Sequence, residues 1–419
     1  MIMLVACMLI GITLASYLQL VSNQNLSIMR SMAWNRALVL AEAGIEEALA
    51  HLNSNTTNRT HDGWALAGTN VTKERNLGDD RYRVWINKDQ EPPLILSEGY
   101  ARNPKSGQFL APRTIRVSTT NDALFAKGLV AKGKLDLAGN GIKTDSYIST
   151  DPNFSTAGKY DPAKNKDGGD IATNSSVEDS LNVWNAEIFG TASTGPDGNV
   201  KLGQNGRIGS KTWHSASSKG IQPGWAKDDM NVYFPDVKPP FDGGAFNPSG
   251  GSISNVNYTY ILGAGDYQMT HLKLKASETM LVTGNARLYV TSEIDITGGG
   301  KIEFAPGATL QLYMAGALTK IAGNGIANNG MANSFSYWGL PSNTQVSLSG
   351  NATLAGTVYA PQAQLTLGGG GSTSADFMGA AVANSIKLNG HFHFHYDESL
   401  KILGPKRGYV ITSWAERGW

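Results

Sequence analysis

Cysteine is almost missing from this sequence of 419 residues. The single cysteine, Cys7, lies inside an apolar run, so we expect an exported region of this size to hold together without disulfides. Neither sign of charge is in clear excess: the sequence has 35 Lys and Arg residues and 34 Asp and Glu residues, which gives a formal net charge of +1. The overall composition therefore gives no electrostatic reason to expect nucleic acid or an anionic membrane surface as a partner.

Motifs of common enzyme classes are also absent from the sequence. It contains no GxSxG, HExxH, Walker or GxGxxG pattern and no CxxC pair. We therefore predict a protein that is not an enzyme and that has no cofactor. Glycine, in contrast, is abundant, with 49 residues. Together with many Asn, Ser and Thr residues, it predicts tight turns between short strands.

The N-terminal stretch lacks both charge and proline. Its first charged residue is Arg30 and the first proline is Pro92, so one continuous helix is predicted from Met1 to Leu52. At 1.5 Å per residue the apolar run Met1–Val21 spans roughly 30 Å, the thickness of a bilayer's hydrocarbon core. In the second half, apolar residues recur at steps of three and four. This spacing predicts an amphipathic helix that packs on protein. The predicted stripe consists of Trp34, Leu38, Ala41, Ile45, Leu49 and Leu52.

Two other interpretations of the apolar run are weaker. A cleaved signal peptide would need a basic region before the run and a shorter apolar core, and neither is present. The Leu4–Cys7 segment is similar to a lipoprotein cleavage box, but the residues after Cys7 stay apolar where a lipoprotein turns polar. Since no Lys or Arg precedes the run, we also expect a leader upstream of the recorded start.

The N-terminal segment resembles that of type IV pilin-like proteins, especially the minor-pilin group (PilX-type). The resemblance rests on the apolar run, the polar shoulder Asn23–Asn25 and the Leu40–Glu46 segment, which contains the sequence AEAG. Two features depart from the family pattern: no basic leader precedes the run, and no acidic residue stands five positions into it. The resemblance implies a structural protein of the cell envelope that takes part in the assembly of a type IV pilus or a related filament. It further implies a helix in the bacterial inner membrane that contacts other pilin-like subunits, with the rest exported, and a place at the cell surface or in a pilus.

Four regions are predicted along the chain. Residues 1–53 form the helix, 54–122 a small antiparallel sheet, 123–400 a β-helix-like exported domain and 401–419 a C-terminal strand or tail. Alternating residues around Tyr82, Leu94 and Ile115 predict three short strands, and the polar stretch Asn53–Asp80 predicts a connecting loop. In pilin-like proteins such a sheet packs on the helix.

The region from 123 to 400 predicts a mainly β fold, an irregular right-handed parallel β-helix. Short alternating segments recur there, each with an Asn/Gly corner, as in 134–144, 282–296 and 386–396. A β-sandwich would give a similar pattern and is the alternative. Two excursions are expected, at Asp151–Ser180 and Ser210–Ser252, and a turn at Gly368–Ser372. The segment Phe377–Leu400 and the closing residues 410–416 resemble the last rungs and the terminal strand of the same pilin-like proteins.

Two groups of residues could bind a metal ion. His391, His393 and His395 alternate along a predicted strand, so they share one face and could bind Zn²⁺ or Ni²⁺. Neighbours two positions apart on a strand are about 7 Å apart, however, so we favour a polar outer face opposite an aromatic inner face. Asp167 and Asp170, in the sequence NKDGGD, are similar to an acidic calcium loop, but the EF-hand pattern fails and an exposed loop is favoured.

The alternative function is that of a membrane-tethered carbohydrate-binding or carbohydrate-active β-helix, with surface polysaccharide as partner. Hydrolysis or elimination would need converging carboxylates, and the candidates Asp136, Asp145 and Asp266 are scattered in sequence. Stacking on sugar rings would need exposed aromatic side chains. The candidates are Trp213, Trp225, Tyr258, Tyr260 and Trp338.

Overall fold

The computed structural model describes residues 1–54, 60–87, 89–103, 105–322, 325–328, 330–350, 354–369 and 376–416. The chain divides into two compact units. The first contains Met1–Asp122 and Lys406–Trp419, and the second contains Ala123–Pro405. The second unit is therefore an insertion in the sequence of the first.

The first unit begins with one long helix, α1, which runs from Ile2 to Ser54. The prediction of a single uninterrupted helix is confirmed. No proline or charge disrupts its first half, and its second half is held by packing on an antiparallel sheet. The strands of this part of the sheet, in chain order, are β1 (Ala65–Ala67), β2 (Asn70–Leu77), β3 (Asp80–Asn87), β4 (Leu94–Tyr100) and β5 (Arg113–Ala123).

The predicted small antiparallel sheet is confirmed, but the loop predicted at Asn53–Asp80 is wrong in part. Both β1 and β2 lie within that stretch. Half of β2 is exposed and only Val71 is buried, so its charged sequence shows no apolar alternation. β2 is a strand because it pairs with β3 over eight residues, and its own sequence pattern does not predict this pairing.

The second unit is a parallel β-solenoid of about nine turns. Its first stack of rungs is formed before residue 228, in strands that pair in parallel with strands of the preceding or following rung. These strands are β6 (Leu129–Ala131), β7 (Leu135–Asp136), β8 (Lys143–Tyr147), β9 (Ile171–Thr173), β10 (Leu181–Trp184), β11 (Glu187–Phe189), β12 (Ala192–Ser193), β13 (Val200–Leu202), β14 (Arg207–Gly209), β15 (Gly220–Ile221) and β16 (Ala226–Lys227). A 3₁₀ turn at Pro162–Lys164 lies in the excursion between β8 and β9, and the short helix α2 (Lys211–Ser215) follows β14.

A second stack of rungs is formed by the remaining strands of the solenoid. They are β17 (Ser249–Ile253), β18 (Val256–Leu262), β19 (Gly265–Leu274), β20 (Thr279–Val282), β21 (Asn285–Ile296), β22 (Lys301–Phe304), β23 (Thr309–Met314), β24 (Leu318–Ala322), β25 (Ile326–Ala327), β26 (Phe335–Gly339), β27 (Gln345–Gly350), β28 (Leu354–Gly369), β29 (Phe377–Leu388) and β30 (His393–Asp397). The turn predicted at Gly368–Ser372 falls mostly outside the described residues. A second 3₁₀ turn spans Ala332–Ser334, and α3 (Leu400–Leu403) follows β30.

The two stacks join in the middle of the solenoid. There the rung that comes first in the sequence pairs with the rung that comes last in the sequence. β29 pairs in parallel with β6 and β7, and β30 pairs in parallel with β8. Ile386, Leu135 and Leu181 are consecutive in register across this junction, and all three are buried. One hydrophobic core therefore continues from the second stack into the first, and the chain enters and leaves the solenoid at its middle.

The segment 228–248 connects the two outer ends of the solenoid and lies along its side. Tyr359 donates a hydrogen bond to the carbonyl of Pro235 at 2.7 Å, and Arg287 donates one to the carbonyl of Pro240 at 3.1 Å. Met230, Phe234 and Val237 are buried in the solenoid's core cluster. This segment lies in the predicted excursion Ser210–Ser252, and it is the return connection that the permuted order of rungs requires.

Parallel pairing between successive rungs excludes the β-sandwich alternative, in which strands pair antiparallel. The exception is the outermost strand β17, which pairs antiparallel with β18. Alternating inward residues fill the interior: along β21, for example, Ala286, Leu288 and Val290 are buried and the residues between them are partly exposed. The predicted excursion Asp151–Ser180 is only partly correct, since β9 lies inside it.

The chain returns to the first unit in β31 (Lys406–Glu416), the last strand. β31 is the neighbour of β5 and completes a six-stranded sheet with the order β1-β2-β3-β4-β5-β31. Arg113 pairs with Glu416 at 2.5 Å, and Asp122 pairs with Arg407 at 2.7 Å. These two ion pairs show that β5 and β31 run in opposite directions.

Candidate functional site

The exposed half of α1 is the most unusual surface of the first unit. By length and composition α1 can cross a membrane, and its most apolar window has no buried residue. Met8 and Ile10 are each 66% exposed although both are large and apolar. A stretch of this length without charge in water would be costly, so this half needs an apolar partner or a bilayer.

The other half of α1 packs on the sheet through small residues. The side chains that are buried in the described helix are Ala33, Ala37, Leu40, Ala41, Ile45, Ala48, His51 and Leu52, with Gly44 among them. The predicted stripe is therefore correct at Ala41, Ile45 and Leu52 only. Leu38 and Leu49 pack at its margin and are partly buried, and Trp34 is partly exposed. The stripe is rotated from the prediction because small residues, not large ones, form the line of closest approach.

Two glycines set the distance between the helix and the sheet. A Cβ atom at Gly99 would lie 1.9 Å from the carbonyl oxygen of Ala37 and 2.7 Å from the nitrogen of Ala41. A Cβ atom at Gly44 would lie 2.3 Å from the Ser97 hydroxyl. Both contacts are far inside van der Waals distance. At Gly99 the backbone of β4 touches the backbone of the helix, and at Gly44 the helix backbone touches the side chain of Ser97. Such close approach fixes the position of α1 on the sheet.

Polar side chains fasten the two edges of the helix. Arg36 pairs with Asp80 at 2.7 Å, and Glu47 pairs with Lys73 at 2.9 Å while accepting a hydrogen bond from Tyr82. Burial alone would raise the pKa of Glu47, but hydrogen bonds from Tyr82 and Lys73 and the nearby positive charges outweigh it and hold the pKa below its usual value. Burial, and then the hydrogen bond to Glu47, raises the pKa of Tyr82 to about 12. The carboxylate is thus the ionised acceptor.

The predicted histidine strand is only partly a strand. β30 begins at His393, and His391 is exposed before it. His395 is buried, although we expected a polar outer face: its Nδ1 is hydrogen-bonded to Asp145, and the ring of Tyr160 stacks on it with centroids 3.6 Å apart. The excursion between β8 and β9 covers this part of the outer surface. Phe392 and Phe394 are buried on the other face, as predicted.

Asp145 is the centre of a buried hydrogen-bond cluster. It accepts hydrogen bonds from the Tyr160 hydroxyl at 2.8 Å and the Asn165 amide at 2.6 Å, as well as from His395. Burial, together with the Asp145 charge, raises the pKa of Tyr160 far above its ordinary value. The sequence suggests Asp145 and His395 as separate candidates and does not connect them. The two residues lie opposite each other on adjacent rungs, and only the register of β30 on β8 shows this.

The oxygens of the predicted calcium loop are occupied by protein donors. The ammonium of Lys211 contacts both the backbone and the side-chain oxygen of Asn165, at 2.8 and 2.6 Å. Asp170 accepts hydrogen bonds from the backbone and hydroxyl of Thr191, and Asp167 accepts one from the backbone of Lys211. Among the residues that the structure describes, no group of three or more His, Cys, Asp or Glu is placed to hold a metal ion.

The structure does not bring together the other two candidate carboxylates. Asp266 forms a two-point ion pair with Arg287, with both contacts at 2.6 Å. Asp136 accepts a hydrogen bond from Asn182 at 3.0 Å on a neighbouring rung. Each carboxylate is thus held by its own partner on the solenoid surface.

Of the candidate aromatic residues, only Trp338 belongs to a column of rings, which it shares with three tyrosines that the sequence did not single out. Tyr289, Tyr313, Trp338 and Tyr359 are in register on successive rungs, and Tyr313 stacks on Trp338 with centroids 6.0 Å apart. Trp338 also contacts Tyr359, with centroids 5.6 Å apart and the planes tilted by 59°, and Tyr359 is buried beneath the return segment. The others, Trp213, Trp225, Tyr258 and Tyr260, are partly buried.

Three comparisons with known proteins add little about function. Residues 243–403, fewer than half of the chain, match a family described as a domain of unknown function, DUF7305. No curated protein matches the chain. Among solved structures, the competence-associated pilin ComZ from Thermus thermophilus is matched over 92% of this chain and 97% of its own, with 11% identity and a TM-score of 0.24. At that TM-score the match shows neither a shared fold nor a shared function.

Proposed function

We propose that this protein is a membrane-anchored, pilin-like structural protein of the cell envelope that takes part in the assembly of a type IV pilus or a related filament. One observation carries the proposal: a continuous helix of 53 residues leaves its uncharged apolar half exposed and packs its other half on a small antiparallel sheet. This division, together with the AEAG element in the packed half, supports the resemblance to pilin-like proteins.

The two halves of α1 have separate tasks in this proposal. The apolar half inserts first into the inner membrane and then into the core of a filament, where it packs on the helices of other subunits. The packed half keeps the sheet at a fixed position on the helix, because Gly99 allows backbone contact there and Gly44 allows the side chain of Ser97 to approach the helix. The solenoid is the exported part. The role is structural and needs no catalytic residue.

Two matched substitutions separate these tasks. Ile10→Asp places a carboxylate on the 66% exposed apolar half, where charge costs roughly 3 kcal/mol on membrane-insertion scales. It should leave the exported region folded and remove the protein from filaments. Ile45→Asp places the same group at a position that is 3% exposed against the sheet, so it should destabilise the first unit.

The measurement is crosslinking of intact cells, followed by detection of the chain in sheared surface filaments. If the Ile10→Asp protein is present in filaments at the parental level, the proposal is contradicted. A truncation that removes residues 1–29 is the control for anchoring: it keeps the packed half of α1 and should move the protein from the membrane fraction to the soluble fraction. A truncation at Leu52 would not serve, because it would expose the apolar face of the sheet.

Carbohydrate binding or turnover, the alternative, remains a prediction that no observation specifically favours. The column of aromatic rings is covered in part: Tyr359 lies beneath the return segment, and Tyr313 and Trp338 stack on each other, so the column is a poor platform for sugar rings. Retention of the isolated region 123–405 on cell-wall polysaccharide, or release of sugars by it, would revive this alternative.

A further inference from the structure

The balanced charge of the whole chain hides a local asymmetry in the first unit. No Asp or Glu occurs in residues 1–41 or 99–121, and these two stretches contain six Lys and Arg residues. Two of the six are neutralised, since Arg36 pairs with Asp80 and Arg113 with Glu416. For Arg30 and Lys105, the described part of the chain offers no carboxylate partner within ion-pair distance.

Lys105 lies beside the helix at the level where the apolar run ends. A groove of about 320 Å³ is formed there by one side of α1 and by the loop that follows β4. Its lining residues are Leu18, Val21, Ser22, Asn25, Leu26, Met29 and Lys105. The groove thus combines four apolar side chains with the polar Ser22 and Asn25, and Lys105 is its one charged residue.

The described residues on either side of Lys105 form hydrogen bonds around it. The Asn103 side chain accepts from the backbone nitrogen of Lys105 at 2.9 Å, and the Asn103 carbonyl accepts from Gly107 at 2.8 Å. Asn103 itself is buried. In the same loop, the guanidinium group of Arg102 lies 4.9 Å from the ring centroid of Phe109, and that of Arg81 in β3 lies 4.8 Å from it. The backbone at Lys105 is therefore held by a defined turn, and its side chain lines the groove beside the helix.

We propose that this groove binds an anionic phospholipid, with the phosphate on Lys105 and an acyl chain against Leu18, Val21 and Leu26. The inference rests on the proposed membrane anchor, since Met1–Val21 spans roughly 30 Å and places Ser22 at the edge of the hydrocarbon core. A lysine at that depth reaches lipid phosphates while its methylene groups stay on apolar surface. The lack of nearby carboxylates leaves its charge available to the lipid.

The test uses the full-length protein in bilayers of phosphatidylcholine that contain a minor share of phosphatidylglycerol. The protein is re-extracted, and the lipids that stay bound are counted by native mass spectrometry. The parent should retain phosphatidylglycerol preferentially, and Lys105→Ala should reduce that preference roughly fivefold, the change expected for one lysine at a membrane surface. Arg116→Ala is the matched control: Arg116 is an exposed cation on the opposite face of β5 from the buried Ile115 and Val117, so its loss should change nothing.

Equal retention of phosphatidylglycerol by the parent and Lys105→Ala would overturn the inference. So would displacement of the lipid by inorganic phosphate alone, which would indicate a simple ion site. A photo-crosslinking residue at position 105 distinguishes the remaining occupant: lipid adducts support the proposal, and adducts only with a second copy would assign the groove to a neighbouring helix. Carbonate extraction of the parent is read first. If the parent is washed off the bilayer the proposed anchor fails, whereas a firmly inserted protein without lipid preference refutes only the groove.

Discussion

At the scale of single residues, the solenoid's most consequential polar group is Asp145. It is fully buried, and Tyr160 and Asn165, which bind it, belong to the excursion between β8 and β9. Because a buried carboxylate is stable only when its oxygens accept hydrogen bonds, these contacts hold the excursion against the rungs. The histidine that the sequence suggested as a metal ligand serves here as one of the donors.

Asp145→Asn should loosen the excursion without unfolding the rungs. Whichever way the new amide points, its NH₂ group meets a side chain that donated to the carboxylate, so the cost should be about 3 kcal/mol. Hydrogen exchange should accelerate across 148–170 while the strands β9 to β11 remain protected. Tyr160→Phe, which removes one hydroxyl, should cost about 1 kcal/mol. Unchanged exchange in the Asn variant would show that other contacts hold the excursion.

His214 gives the solenoid a pH dependence. Burial, and then the positive charge of Arg207, lowers the pKa of His214, whose ring packs on Phe189 with centroids 4.1 Å apart. Below about pH 6.5, the usual pKa of histidine, the unfolded chain binds a proton at this side chain more readily than the folded chain does. The free energy of unfolding should therefore fall as the pH drops through this range.

The variant His214→Phe should remove this part of the slope, because phenylalanine cannot be protonated. At pH 7.5 its stability should stay within about 1.5 kcal/mol of the parent, since the substitution conserves a planar ring. Urea unfolding of region 123–405 at several pH values between 7.5 and 5 measures both effects. The exposed His391, changed to Gln, is the control and should keep the parental slope. An identical slope in His214→Phe would exclude His214 as the cause.

At the scale of elements, the sequence predicts those whose pattern is local. The alternation of Tyr82, Val84 and Ile86 corresponds directly to buried positions of β3, and the uncharged run corresponds to the exposed half of α1. The packed face of α1 was predicted less well, because the periodicity argument weighed large apolar residues. The contact is in fact centred on Ala37, Ala41 and Gly44, whose small size lets the helix approach the sheet closely.

Gly99→Ala tests whether backbone contact is essential to this packing. The added methyl group would meet the backbone of α1 at Ala37 and Ala41, and neither atom is a flexible side-chain end. We expect a loss of about 3 kcal/mol in the stability of the first unit, at the upper end of ordinary overpacking. Thermal unfolding followed at Trp64, which is buried in this unit's core, measures the change. Gly368→Ala, whose methyl group would meet only ordinary contacts, is the control. A stability of Gly99→Ala equal to that of the control would mean that the helix can shift without cost.

At the scale of the whole molecule, the order of the rungs could not be predicted from the sequence. The repeated Asn/Gly corners predict rungs, and parallel pairing confirms them. But the junction pairs Ala381 with Leu129 and Ile386 with Leu135, residues far apart in sequence with no local signal between them. The same holds for segment 228–248, whose prolines predict an excursion and say nothing of the two ends that it connects.

This topology makes the solenoid a removable insertion. Leu124 donates a hydrogen bond to the carbonyl of Pro405 at 2.9 Å, so the solenoid's entry and exit are adjacent, and β5 and β31 are neighbours in the sheet of the first unit. Replacing 124–405 with a turn of about four residues would therefore join two antiparallel strands by an ordinary hairpin. We expect the shortened protein to keep the six-stranded sheet on α1, with Trp64 buried and unfolding cooperative.

The same deletion separates anchoring from display in the proposed filament. Since the apolar half of α1 and its packing on the sheet are untouched, the shortened chain should still enter the membrane fraction and sheared filaments at a level near that of the parent. Adding Ile10→Asp to the shortened chain should remove it from filaments again. If the shortened chain folds yet is missing from filaments that contain the parent, the solenoid itself contributes contacts to assembly, and the helix alone does not determine incorporation.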